Sequence, residues 1–292
     1  MRILVTGATG FIGSNLVKVL RKKHSVRALA RREVAIPGVE VAIADLNDRK
    51  ALVEALKGIE VAYYLVHSMS QTSKFEEMEL ASAKNFASAC DANNVKRIIY
   101  LSGIIPSGEL SRHLRSRKRV GDALRKSTAK VTELRASIIV GANGSSYKII
   151  QGLVEKMPIM IWPFKEALNQ PIALTDALHY LAKSLAEKKT IDKTYDIGGP
   201  DVISFKDMLT IYAEEKGLKR KIVKVPFFNS NIYSLIAARI TGQPRNLIKA
   251  LMESLKHDVI CKENKIRKII PRRLLTYREA VRRVIKEGKT DF

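Results

Sequence analysis

Two groups of residues in this sequence have the types and spacing to hold a dinucleotide. The first is Gly7, Gly10 and Gly13, a G-x-x-G-x-x-G run that follows an apolar stretch at residues 2–6 and opens a helical period at residues 11–20. Without side chains at Gly7 and Gly10 a pyrophosphate could approach the backbone, and Gly13 would let the helix pack on its strand. The loop and first-turn residues Thr9, Phe11 and Ile12 would then face the phosphates at a helix N-terminus. The second group is Arg31 and Arg32, at the end of a strand expected over residues 25–29, where dinucleotide folds meet the adenosine ribose. An acidic residue there accepts hydrogen bonds from the ribose 2′-hydroxyl, whereas arginine neutralises a 2′-phosphate. The pair therefore points to NADP(H). The simpler readings are an ordinary strand-to-helix turn and two exposed loop arginines.

The elements that must position these groups follow in order. Strands expected at residues 2–6, 25–29, 39–42, 61–66, 97–101 and 131–140 alternate with helices at 11–20, 49–56, 73–92 and 111–126. Short connections between alternating strands and helices predict an α/β fold, a doubly wound parallel sheet with right-handed crossovers. Asp45 and Leu46, which close the third strand, and Val66, which ends the fourth, are further cofactor-binding candidates. The loop behind it, residues 67–70, should run along the cofactor. Ser73 and Glu76 have the spacing of a capping box for the third helix.

Beyond residue 144 the pattern becomes mainly helical. A helix at 145–156 leads to the apolar segment 157–164, broken by Pro158 and Pro163, which reads as a pocket wall or a core loop. A strand at 171–174, a helix at 176–187 and a strand at 194–197 return to the sheet pattern. Ser204 with Asp207 and Thr276 with Glu279 make two more capping boxes, the first stapled by Ile203 and Met208. Between them lie a strand at 221–225 and helices at 231–240 and 244–255. Ile232, Leu235, Ile236 and Ile240 give the first of these helices a narrow apolar face that reads as core. The expected division is a nucleotide-binding unit of residues 1–144 plus 171–199 and a smaller, mainly helical substrate unit of residues 145–170 plus 200–292.

Composition narrows the class. At 46% hydrophobic and 28% charged residues, without repeats or charged tails, the 292-residue chain is that of an ordered globular protein. Cys90 and Cys261 have no close cysteine neighbour, so neither a disulfide framework nor a thiolate metal site is expected, and a reducing cytoplasm is. No signal peptide or membrane-spanning segment is expected. The net charge of +23 fits an anionic partner: a phosphorylated ligand, a nucleic acid or an anionic membrane. Basic residues lie at 21–32, 112–126 and 262–289 without interleaved aromatics, which disfavours nucleic acid. Peripheral contact with the inner face of a membrane through the basic C-terminal helices is a further reading of this charge.

Several segments together resemble the extended and atypical short-chain dehydrogenases/reductases. They are VTGATGFIG at 5–13, IIYLSG at 98–103, ELRASIIVG at 133–141, QPIALTDALHYLA at 170–182 and YDIGGPDVISFKDM at 195–208. YYLVHSM at 63–69 and HLRSRKRVG at 113–121 are similar to the atypical branch of nitrogen-repressor-like proteins and the 39 kDa subunit of respiratory complex I. The resemblance implies a Rossmann fold and a small-molecule substrate, probed through a serine that orients it, a tyrosine that donates a proton and a lysine that binds ribose. Ser102 matches the serine and Lys118 the lysine, but Leu114 stands at the tyrosine. Leucine has no proton to give. The neighbouring His113 titrates near neutral pH and could replace it, or serve as a surface or phosphate-contacting residue, with one of Tyr63 and Tyr64 as a further substitute. Two functions stay open: an NADP(H)-dependent oxidoreductase or epimerase-like enzyme acting on an apolar carbonyl or quinone-like substrate, and a non-catalytic NADP(H)-binding sensor or assembly factor.

Overall fold

Successive strand residues point to opposite faces, so a run in which every residue is apolar belongs to a sheet covered on both sides. A computed structural model, which describes residues 1–66, 75–106, 110–162, 166–225, 229–255 and 257–288, shows that arrangement. The first half contains β1 (Arg2–Val5), α1 (Phe11–Leu20), β2 (Ser25–Ala30), β3 (Glu40–Ile43), α2 (Arg49–Ala55) and β4 (Val61–Tyr64). It continues with α3 (Phe75–Ala92), β5 (Arg97–Gly103), α4 (Arg112–Leu124), β6 (Lys130–Ala136), β7 (Ile139–Val140) and α5 (Ser145–Lys156). Then come β8 (Ile159–Trp162), β9 (Leu168–Asn169), β10 (Ile172–Ala173), α6 (Leu174–Ser184), β11 (Thr194–Ile197), β12 (Ile203–Ser204) and α7 (Phe205–Glu215). The chain ends with β13 (Lys221–Lys224), α8 (Ser230–Thr241), α9 (Arg245–Ser254), α10 (Lys265–Ile269) and α11 (Tyr277–Glu287).

Seven strands form one parallel sheet in the order β11-β6-β5-β4-β1-β2-β3. The winding reverses between β1 and β4, the switch point at which a doubly wound sheet opens a crevice for a ligand. Ile3, Val5, Ile99 and Leu134 pack with Leu16 of α1 and Tyr180 of α6 on one face. Leu4, Ala62, Ile98 and Tyr100 pack with Leu52, Phe86 and Val120 of α2, α3 and α4 on the other. A third core, including Tyr147, Met160, Trp162, Met208, Tyr212, Met252 and Val281, joins the later helices to β7 and β8.

The structure departs from the sequence pattern in four places. The strand expected over 131–140 ends at Ala136, and after Ser137 and Ile138 the chain resumes as β7, paired with β10 through Ile139 and Ile172. Segment 157–164 contains β8, whose Met160 and Trp162 enter the third core while Ile159 and Ile161 face out. Pro158 precedes this strand rather than breaking it, and Pro163 and Phe164 lie outside the described residues. Helix α6 starts at Leu174, which places Asp176 in its first turn, fully buried. The fourth departure is α8, whose large apolar residues are not core: Ile232, Leu235 and Ile236 are 55%, 48% and 46% exposed, while Ser234 and Ala237 are buried. The reason is proximity to α5, because a Cβ on Gly152 would lie 2.9 Å from the Cα of Thr241 and only small residues fit between the helices. Both capping boxes beyond residue 200 form, at Ser204 with Asp207 and Thr276 with Glu279; Ser73 lies outside the described residues.

Candidate active site

The glycine turn is built from the ends of β1 and β4. Thr6 donates its amide to Tyr63 O at 3.0 Å, and its Oγ1 accepts from Leu65 N at 2.9 Å, which fastens the two strand ends at the switch point. Gly7 follows in the left-handed region at φ +63°, where a side chain is strained, and its carbonyl accepts from Gly10 N at 2.9 Å. A Cβ on Gly13 would come within 2.1 Å of that carbonyl oxygen, so the first turn of α1 closes directly on the loop. Gly10 differs, because its Cβ would meet only Gly7 O, at 3.2 Å. It lies on the open side of the turn. As the N-cap of α1 it supplies no side-chain acceptor, so the first-turn amides keep their capacity for an external anion. Phe11 packs its ring against the backbone of Gly141 and Gly144, where added Cβ atoms would lie 2.7 and 3.0 Å away. Ile12 is half-buried and Thr9 exposed. A buried Asn15 donates from Nδ2 to Phe11 O at 2.9 Å, leaving its Oδ1 without a hydrogen-bond partner.

The residues expected around the adenosine end flank this turn. Arg31 and Arg32 are exposed just after β2 and, among the described residues, join no ion pair. Their charge is available to a phosphate. Asp45 is spent locally: its Oδ1 accepts from Asn47 N at 2.8 Å and Asn47 Nδ2 at 2.9 Å. Leu46 is buried and its carbonyl accepts from Asn85 Nδ2 of α3 at 3.1 Å, a clamp on this loop that local pattern did not single out. Val66 is half-buried, its Cγ2 3.5 Å from the Cβ place at Gly7. The loop at His67, Ser68, Met69 and Ser70 lies outside the described residues.

On the other side of the switch point, β5 carries Ser102 to its C-terminal end. Ser102 is 5% exposed; its buried Oγ neighbours the Tyr100 hydroxyl, and Gly103 after it, rather than Ser102 itself, lines the adjoining cavity. Helix α4 is fixed against this strand end from both directions: Tyr100 donates its hydroxyl to Arg117 O at 3.1 Å, and Arg117 Nη1 donates to Leu101 O at 3.3 Å. Leu114 is buried with its Cδ2 3.1 Å from the Cβ place at Gly103, and exposed Lys118 lies one turn beyond it. His113 is half-buried and lines a cavity of about 660 Å³, part of it open to solvent, with Gly103, Leu114, Ser137 and Ile149. Leu247, Leu251 and Leu255, from α9 and its end, close the far wall. Ser137, in the break between β6 and β7, also lines the cavity, and its Oγ is buried without a hydrogen-bond partner.

The two tyrosines considered as substitutes are not available. Tyr63 donates to Leu181 O at 3.0 Å, and Tyr64 packs edge-on against Phe86 and Tyr100. Both faces of β4 are covered, so neither ring reaches the crevice, and burial pushes both hydroxyls well above the ordinary tyrosine range. Because the sheet is parallel, the glycine turn and Ser102 stand at the same edge of it; His113 lines the cavity there, whereas Ser102 and Lys118 are not among its lining residues. A dinucleotide laid across the switch point would have its phosphates at α1 and its far end beside Ser102. The uncapped helix start and the glycine turn that side chains would disrupt fit such a ligand.

Residues 1–257 match the model of the NmrA-like family. The chain belongs to the NmrA-like family. It therefore has that family's NAD(P)-binding Rossmann architecture. Sterol demethylase protein B of Methylococcus capsulatus is 24% identical over 99% of this chain and 89% of its own. Among solved structures, triphenylmethane reductase of Citrobacter sp. complexed with NADP(H) superposes with a TM-score of 0.77 at 18% identity, covering 97% of this chain and 99% of that one. The NADPH-dependent quinone oxidoreductase of Escherichia coli, complexed with NADPH, gives 0.78 at 19% identity, with coverage of 97% and 99%. At such identities the solved structures share the fold with this NmrA-like protein. Among its described residues no helix is long and apolar enough to cross a membrane, and no group of His, Cys, Asp or Glu is arranged for a metal ion.

Proposed function

We propose that this protein is an NADP(H)-dependent reductase of apolar carbonyl or quinone-like substrates. The observation that carries the reading is the cavity at Gly103, next to Ser102: Leu247, Leu251 and Leu255 make its α9 side mainly aliphatic, and His113 of α4, Ser137 and Asn169 are polar groups opposite. Residues 1–144 plus 171–199 would hold the cofactor, and 145–170 plus 200–292 would complete the substrate side.

In this reading the glycine turn and the α1 amides bind the pyrophosphate, and Arg31 and Arg32 hold the 2′-phosphate that distinguishes NADP(H) from NAD(H). Lys118 binds ribose. When bound, NADPH supplies the hydride. Ser102 donates its hydroxyl hydrogen to the substrate oxygen, which stabilises the charge that builds there. His113 then delivers the proton to that oxygen, replacing the tyrosine that Leu114 displaces. The aliphatic wall shields one side of the reacting carbonyl from water. NADPH consumption over a panel of quinones, ketones and enones tests the reading, together with titrations of NADPH and NADH. Turnover with at least one apolar acceptor and tighter binding of NADPH are expected; equal affinity for the two cofactors removes the role given to the arginines.

Leu114 supports a second reading, a non-catalytic NADP(H)-binding sensor or assembly factor, since the usual proton donor is absent. Tight NADPH binding with no turnover across the panel would favour it.

A further inference from the structure

Helix α8 is amphipathic in the wrong direction for a core helix. Ile232, Leu235 and Ile236 follow the i, i+3, i+4 spacing of one helical stripe, and this stripe faces away from Ser234 and Ala237, which pack inward. Large apolar side chains therefore project to solvent along a helix of 12 residues, about 18 Å long. Arg239 continues the stripe at i+7. From residue 216 to residue 252 the sequence has eight Lys or Arg and no Asp or Glu. Within this acid-free segment Lys221, Lys224 and Arg239 are exposed and, among the described residues, in no ion pair. The strand before α8 repeats the composition: Val223 and its partner Ile161 are exposed, as is Ile159 opposite Lys221.

We propose that α8 docks this protein on an anionic membrane surface, with Ile232, Leu235 and Ile236 entering the headgroup boundary and the surrounding cations meeting acidic lipid. An apolar stripe in a segment whose own charges are all positive is complementary to a surface that is apolar below and anionic above. A second copy of the chain is a poorer partner, because it would bring the same acid-free segment against itself. The basic C-terminal helix α11, the membrane contact that charge along the sequence suggests, is a weaker candidate. Its Arg278 and Arg282 are paired with Glu214 and Glu215, and its Arg283 with Glu287. The proposal is independent of whether the cavity reduces a substrate. Helix α9, packed beside α8, lines that cavity, so docking would also bring the cavity near lipid.

The test is co-sedimentation of the full-length protein with vesicles of phosphatidylcholine alone and of equimolar phosphatidylcholine and phosphatidylglycerol. Binding to the anionic vesicles is expected, weakened on the order of tenfold or more in Ile232→Ser/Leu235→Ser/Ile236→Ser. The triple variant should melt like the parent, since its positions are exposed. Lys224→Glu/Arg239→Glu gives a second, charge-based route to the same loss. Three results would overturn the proposal: no binding to anionic vesicles, binding that both variants retain, or a protein that light scattering shows to be dimeric and that the triple substitution makes monomeric.

Discussion

The contrast between Gly13 and Gly10 gives the sharpest test of how the phosphate cradle is built. Gly13→Ala puts a methyl group 2.1 Å from Gly7 O, 2.7 Å from Gly7 C and 3.0 Å from Ala8 Cα. All three obstacles are backbone, so the loop must move bodily by roughly 1 Å. Overpacking of this kind costs about 1–3 kcal/mol, and rigid obstacles place it near the upper end. At about 2–4 °C per kcal/mol for a protein of this class, the melting temperature should fall by about 6–12 °C. The displaced Gly7 carbonyl is also the acceptor for Gly10 N, so NADPH affinity should fall with it. Gly10→Ala separates the two effects. Its methyl group touches only Gly7 O at 3.2 Å, and alanine is a poorer N-cap than glycine by less than about 1 kcal/mol. It should therefore melt within a few degrees of the parent while losing tenfold or more in NADPH affinity, because the methyl group stands where the pyrophosphate must run. Differential scanning fluorimetry without ligand and fluorescence titration with NADPH read the two effects apart. A Gly13→Ala protein that melts with the parent, or a Gly10→Ala protein that keeps its NADPH affinity, refutes this account of the turn.

Three further outcomes follow from other parts of the molecule. Arg31→Ala/Arg32→Ala should weaken NADPH about ten- to a hundredfold, the worth of a charge-assisted hydrogen bond, and leave NADH unchanged; parallel losses for both cofactors in calorimetric titrations would move the 2′-phosphate elsewhere. Leu251→Trp, on the α9 wall of the cavity, should raise KM for the best acceptor without altering NADPH affinity, and an unchanged KM would show that the cavity does not take substrate. Burial alone would raise the carboxyl of Glu133, but Arg135 at 2.9 Å and the adjoining Arg125 hold it below its ordinary value of 4.5. Because the folded value is depressed, this group stabilises the protein above the unfolded value and ceases to do so as pH falls through the folded one. Glu133→Gln should cost about 3 kcal/mol at pH 7 and melt with a flatter acid limb below pH 4.5, whereas superimposable melting curves across pH would contradict the assignment.

Signals contained within one short segment were legible in the sequence. Strand, glycine turn and helix from Arg2 to Leu20 are local, as are the capping boxes at Ser204 and Thr276, and each forms where the pattern put it. Features that depend on a distant neighbour were not. A helical stripe such as Ile232, Leu235 and Ile236 shows that a helix has two sides but not which side is packed. That is decided by Gly152, some eighty positions earlier, which draws α5 so close that only small side chains fit between. The same holds for Tyr63 and Tyr64, whose alternation suggested one ring in the crevice; helices on both faces of β4 bury both. The cavity wall escaped notice for a related reason, since Leu247 and Leu251, more than 130 positions after His113, line one cavity with it only in the folded chain.

The displaced proton donor can be tested by restoring it. Leu114 lines the cavity and precedes Lys118 by four residues, so a tyrosine at this position would carry its hydroxyl toward the same space while the lysine charge favours the phenolate. The free volume beside Leu114 can receive the larger ring, although contact with Gly103 leaves little slack on the strand side. If His113 donates the proton, His113→Ala should lower turnover about a hundredfold or more with NADPH affinity intact, the usual contribution of a positioned general acid. Adding Leu114→Tyr to that variant should recover at least a tenfold share of the loss and move the pH profile from the histidine range toward that of a tyrosine beside a lysine. The shift in profile matters more than the recovered rate, because a ring that merely repacked the cavity would change rate without changing which group titrates. Full turnover in His113→Ala would end the role given to histidine, and a double variant that recovers nothing would mean that Leu114 does not occupy the donor's place.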